Sequence, residues 1–220
     1  ARGGNLVVIG EPKRQEVMNP LIASLGVRFM PGCIVCPTVE YDADLVLTRP
    51  TEGAQKLSYW FHQLGINGYG IMMPNAVGFE VTPLLMSPES GSWNELETVD
   101  FVDGKVALNA EAGEVEKSYP TALALSRKKG DREQKILIIG DADCVSNGEL
   151  LKTRPGVSAF NYYLIAGGFH WLTEKYLLTS VVRRLLIMKC SSMRDLLLYL
   201  AQCLCGYCLV SFFYLPCLSG

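Results

Sequence analysis

Ile136-Leu137-Ile138-Ile139 runs straight into Gly140-Asp141-Ala142-Asp143. Four apolar, mostly β-branched side chains in succession leave no polar face, so the segment reads as a strand covered on both sides. Leu6-Val7-Val8-Ile9, closed by Gly10 and Pro12, repeats the pattern near the start of the chain. Strands hidden on both faces need helices above and below their sheet.

The intervening sequence supplies them. Residues 15–25 carry Val17, Met18, Leu21, Ile22 and Leu25 at helical spacing. Gly26 closes that helix, and Pro20 either kinks it or lies in its first turn. Residues 27–30 then look extended, giving a β-α-β opening. Further strands are expected at 44–48, 70–73, 79–85, 121–126 and 135–139, the last two joined by a charged turn at 128–133. Helices are expected at 52–64, with Leu57, Trp60, Phe61 and Leu64 on one stripe, and at 158–173, with Ser158 as N-cap. Apolar runs alternating with helices predict an α/β fold with a mainly parallel sheet covered by helices. Residues 88–118 are polar and turn-rich, and read as a long surface excursion. Of the three tryptophans, Trp93 in that excursion is the one expected to be exposed.

Composition divides the chain in two. It is 49% hydrophobic and 19% charged over 220 residues. The first 180 residues hold 16 basic and 21 acidic side chains; the rest hold Arg183, Arg184, Lys189 and Arg194 against Asp195, and five of the eight cysteines. The acidic body argues against nucleic acid, because phosphate binding needs clustered Lys and Arg. Its one dense basic patch, Arg127-Lys128-Lys129, is offset at once by Asp131 and Glu133. Leu196–Leu215 is 20 residues without a charge, the length that crosses a hydrocarbon core as a helix. A buried C-terminal helix would have the same composition. The organisation expected is therefore a body over 1–176, a basic linker over 177–195 and a candidate transmembrane helix over 196–215.

The sharpest local feature is the strand end at 140–147. Ligands of open α/β sheets bind beyond the carboxyl ends of strands, so Asp141, Asp143, Ser146 and Asn147 are the candidate ligand-binding residues. Two aspartates could hold a hard cation, but no third ligand stands nearby in sequence, and no metal site is assigned. The plainer reading is that Asp141 caps a turn while Ser146 and Asn147 bond local backbone. Cys33-Ile34-Val35-Cys36 has redox spacing, yet its β-branched middle and Pro37 do not start a helix, and no second pair completes a zinc site. No catalytic set is assigned. The two histidines, His62 and His170, read as packing or surface residues; a Cys144–His170 pair is the remaining nucleophilic arrangement. No phosphate-binding loop or dinucleotide fingerprint occurs, so no cofactor is implied.

Several stretches together resemble the GldG-like auxiliary component of ABC-type transport systems linked to gliding motility. They are GGNLVVIGEP (3–12), NPLIASLGVRF (19–29), SWNELE (92–97), GEVEKSYPTALALSR (113–127), QKILIIGDADCVSNGEL (134–150) and FHWLTE (169–174). The resemblance spans roughly residues 3–176. It implies a class I glutamine amidotransferase-like (flavodoxin-like) fold without catalytic residues. It also implies an anchor in the cell inner membrane, the domain facing the periplasm, and ABC permease and ATPase subunits as partners. The small-molecule ligand is left unknown. The chain departs from the family in placing its basic residues before the apolar span, which by the positive-inside rule would put the body in the cytoplasm. The abrupt rise in Cys and Leu after about residue 177 suggests a shifted frame or an unusual terminus. Two rival readings stay open: an amidotransferase-like hydrolase using Cys144, and a structural interaction module whose contact surface is the 88–118 excursion.

Overall fold

The computed structural model describes residues 4–11, 14–58, 61, 71–72, 78–98, 101, 106–150, 154 and 161–173. Its strands are β1 (Leu6–Ile9), β2 (Arg28–Phe29), β3 (Cys33–Val35), β4 (Arg49–Pro50), β5 (Ile71–Met72), β6 (Glu80–Met86), β7 (Trp93–Glu95), β8 (Pro120–Lys129) and β9 (Arg132–Ile139). Its helices are α1 (Gln15–Ile22), α2 (Glu52–Leu57), α3 (Asn147–Leu150) and α4 (Asn161–Leu172).

Five strands form the central sheet in the order β1-β9-β8-β6-β4. Among these strands only β1 and β9 pair in parallel, with Leu6 opposite Ile136 and Ile9 opposite Ile139. The other three pairings are antiparallel. The fold is thus mixed α/β, and the expected mainly parallel sheet is corrected. A continuous apolar run reports burial on both faces, not strand direction. Helices above and below bury an antiparallel hairpin just as completely.

That hairpin, β8–β9, is the centre of the molecule. Lys129 pairs with Arg132 across a two-residue turn, where Gly130 adopts φ 63°. The positive φ suits the turns whose twist matches the strands they join. The charged turn expected at 128–133 is present but tighter: Lys128, Lys129, Arg132 and Glu133 extend the two strands, leaving Gly130 and Asp131 as the turn.

The two faces bury separate cores. On one, Leu123, Leu125, Ile136 and Ile138 meet Ile22 of α1, Val27 and Phe29. On the other, Ala122, Ala124, Leu137 and Ile139 meet Leu84, Cys144, and Leu164, Trp171 and Leu172 of α4. Each fully buried Leu or Ile contributes about 1.5–3 kcal/mol. Gly168 lets α4 press onto the sheet, since a Cβ there would lie 2.5 Å from Leu137 Cδ2. Pro20 is tolerated inside α1, and Asn19 beside it docks the helix. Phe29 N donates to Asn19 Oδ1 at 2.7 Å, and Asn19 Nδ2 donates to Phe29 O at 3.2 Å.

Two small antiparallel sheets, β2–β5 and β3–β7, complete the described strands. Residues 44–48 do not pair as the expected strand; regular pairing begins only at β4. Residues 88–118 are more built than expected. They contain β7 and a 3-10 turn at Ala110–Ala112, and Trp93 is buried, 7% exposed, against Cys33, Val35 and Ala43. The expectation of an exposed Trp93 is corrected: its indole is needed to cover β3. Trp60, His62, Ser158, the linker at 177–195 and the apolar stretch at 196–215 lie outside the described residues. Among the described residues no helix is long and apolar enough to cross a membrane.

Candidate functional site

Because β1 and β9 run in parallel, the chain leaves both at the same edge of the sheet. Gly10 N donates to Ile139 O at 2.7 Å, so Glu11 and Asp141 emerge beside one another. The continuation after β9 is fixed by short-range bonds. Asp141 Oδ1 accepts from Asp143 N at 2.9 Å, opening the 3-10 turn Asp143–Val145. Ser146 Oγ accepts from Glu149 N at 3.3 Å, the cap of α3. Glu149 then takes both guanidinium nitrogens of Arg154, each at 2.8 Å.

The four residues singled out from the sequence therefore have separate surroundings. Asp141 is buried, Ser146 half-buried, and Asp143 and Asn147 exposed. Asp141 and Ser146 serve the turn and the cap, as the plainer reading of the sequence expects. What the fold adds is a collection of carboxylates around Asp141. Burial pushes its carboxyl up to about 7; the Asp143 amide opposes this, and the charges of Asp143, Glu11 and Glu149 push it further up. Glu11 is also raised, by burial and by Asp143, with Arg14 opposing. An asparagine would accept the same turn hydrogen bond without the cost of desolvating a charge, so the ionised aspartate is the less stable choice at this position. Glu11 was missed from the sequence, because its neighbours in space follow it by about 130 positions.

Cys144 is closed off. Its side chain is fully buried, and Sγ donates to Asp141 O at 3.0 Å. Burial, then the charges of Asp141, Asp143 and Glu149, raise the thiol well above its ordinary value. A nucleophilic thiol needs the opposite environment. His170 is engaged elsewhere, with Nδ1 3.4 Å from Ser58 Oγ. Leu172 O, at the end of α4, accepts from Asn5, which leads into β1. The last turn of α4 thus stands at the amino ends of the parallel strands, whereas Cys144 follows the carboxyl end of β9. The Cys33–Cys36 pair behaves as its sequence suggests: Cys33 lies in β3, no helix starts there, and burial raises the Cys36 thiol.

A second group of carboxylates was hidden in the presumed excursion. One oxygen from each of Glu95, Glu97 and Glu114 lies within 4.8 Å of the others. Such a set could in principle hold a hard cation. However, Glu95 Oε1 accepts from Glu97 N and Thr98 N at 2.9 and 3.1 Å, and Oε2 from Trp93 Nε1 at 3.2 Å. Glu114 accepts from Leu96 N and Asn109 N at 2.9 and 2.7 Å. Burial opposes the charge on Glu95, but the amides of Thr98 and Glu97, the indole and Glu114 outweigh it and hold its carboxyl below the usual value. These carboxylates organise the loop. Glu95 and Glu97 flank one residue, but Glu114 is too distant in sequence for spacing to have revealed the group.

Compared with protein-family models, with curated proteins and with solved structures, the chain matches none.

Proposed function

We propose that this chain is a non-catalytic auxiliary domain, binding or scaffolding, of an ABC-type transporter assembly. The observation that carries the non-catalytic part is Cys144. The cysteine beyond the end of β9 is buried, bonded to a backbone carbonyl and held as a thiol. The transporter part rests on the sequence resemblance to GldG-like components. It brings with it a permease and an ATPase as partners, an inner-membrane anchor and a periplasm-facing domain. Of the amidotransferase-like fold, the proposal retains the parallel β1–β9 pair and the loop beyond it; the antiparallel hairpin is a departure. The group of carboxylates Glu11, Asp141 and Asp143 beyond the strand ends is the place proposed for a small ligand, one able to meet carboxylates.

Affinity purification of the tagged chain from detergent-solubilised membranes tests the reading. A permease and an ATPase should co-purify; recovery as a lone soluble protein overturns it. Hydrolysis of glutamine and simple esters, compared between the unmodified chain and Cys144→Ala, tests the non-catalytic part. Turnover that disappears with the thiol would restore the hydrolase reading.

A further inference from the structure

The lobe around β7 carries three exposed apolar side chains whose backbone is drawn together at one carboxylate. Leu96, Leu108 and Val115 are 38, 42 and 52% exposed. They are distant in sequence, yet Glu114 gathers them. Its two oxygens accept from Leu96 N and from Asn109 N, next to Leu108, and Val115 is its own neighbour. Asn109 extends the same hub outward, donating from Nδ2 to Glu97 Oε2 at 2.8 Å and accepting from Glu111 N at 3.0 Å. Glu97, Glu111 and Glu116 are exposed, and each follows one of the three apolar residues by one to three positions. The described residues of 87–119 contain six glutamates and one lysine. That lysine, Lys117, lies over the Tyr119 ring at 4.9 Å.

We propose that this face docks a cationic amphipathic segment of a partner protein, its apolar side chains on Leu96, Leu108 and Val115 and its Lys or Arg on Glu97 and Glu111. Charge selects this occupant over the others. A nucleic acid or an anionic lipid surface would be repelled by these carboxylates. A second copy docked through the same face would bring like charges together. A cationic partner without apolar side chains would leave the three hydrophobic groups in water. The buried carboxylates of Glu95 and Glu114 add to the field beneath the face and stay in place through their amide donors. The inference stands independently of the transporter reading, since any partner bearing such a segment would satisfy it.

The test uses the full chain and three fluorescent synthetic peptides of equal length: an amphipathic Leu/Lys helix, its Leu/Glu counterpart, and a Lys/Ser peptide of the same charge. Only the Leu/Lys peptide should bind with saturation. Leu108→Ser with Val115→Ser, which leaves the charge unchanged, should raise its Kd about tenfold or more. Glu97→Gln with Glu111→Gln should raise it similarly and flatten its salt dependence. Glu16→Gln with Leu21→Ser, an exposed acid and apolar residue on α1, should leave it unchanged. Equal binding of the Lys/Ser peptide, indifference to the Leu108 and Val115 changes, or equal loss from the α1 variant would each overturn the proposal. Circular dichroism of each variant establishes that these surface changes leave the fold intact. Failure here would leave the co-purification result untouched.

Discussion

The Cys144 thiol points back at the carbonyl of Asp141, three residues earlier, and donates to it at 3.0 Å. Backbone bonds from Val145 N to Ala142 O and from Ser146 N to Asp143 O close the 3-10 turn, and the sulfur is fully buried beneath it. Cys144 is therefore expected to resist alkylation in the folded protein at pH 8, where an ordinary exposed cysteine reacts readily. Its labelling should be slower than that of the same residue in urea by about 100-fold or more, since reagent reaches a fully buried sulfur only when the fold opens around it. Peptide mapping by mass spectrometry after timed labelling measures this; rapid native labelling would reopen the nucleophile reading.

Asp141 should make the protein less stable as pH rises. Its carboxyl titrates near 7 when folded and near 3.8 when unfolded, so the folded state holds the extra proton between those limits. The contribution of Asp141 to stability is consequently most favourable below about pH 4, falls through the window to about 7, and levels off above it. Asp141→Asn keeps an acceptor for the Asp143 amide and abolishes the charge. It should gain about 2–4 kcal/mol at pH 8 and almost nothing at pH 4. Urea unfolding of both proteins at pH 4, 6 and 8 gives the comparison, and a difference independent of pH would refute the assignment.

Glu95 predicts the opposite sign. Its carboxyl is held below the ordinary range, so its contribution is present above the unfolded value and lost as pH falls through the folded one. Glu95→Gln sets an NH2 group against an N–H donor on at least one side. A loss of about 2 kcal/mol is expected at pH 7, and less at pH 3. Near-ultraviolet circular dichroism, which reports the packing of Trp93, should change along with it. Gain of stability would mean that the carboxylate is not what holds the loop.

Asn19 joins α1 to β2 through both backbone groups of Phe29. Removing the amide in Asn19→Ala leaves a half-buried donor and acceptor without their partner, at a cost of about 1–3 kcal/mol. Val17→Ala, two residues away but 57% exposed, should stay within about 0.5 kcal/mol. Chemical denaturation of the two variants separates a specific tie from general sensitivity of the helix.

The strands nearest the candidate site could be read from the sequence because their apolar runs carry their own signal. Leu6–Ile9 became β1, and Ile136–Ile139 fills the buried end of β9. Strand direction could not be read, because Leu123 and Ile138 would bury the same surface either way. Residues 44–48 alternate as a strand would, with Val46 and Thr48 buried and Leu47 between them exposed, yet alternation alone does not build a ladder, and no strand forms there. The turn role of Asp141 was visible as one of two readings, since it depends on residues two positions apart. The gathering of carboxylates around it was not, because Glu11 is brought there by the parallel pairing. Residues 88–118 misled for a physical reason. Polar composition normally marks solvated backbone, but here Glu95 and Glu114 bind the loop amides from within.

The two pairings of β9 differ in when they can form. With β8 it meets across Gly130 and Asp131, a closure of the kind completed in about 1–10 μs. With β1 it must find a segment so remote that the Lys135–Asn5 hydrogen bond joins residues 130 positions apart. Loop-closure entropy places that encounter late in assembly. The amino-terminal strand is thus the latch of the molecule, and Glu11 reaches Asp141 only when it shuts. An incompletely folded chain would carry the hairpin and its hydrophobic faces without Glu11 beside Asp141, so the raised Asp141 carboxyl reports completion of the fold itself.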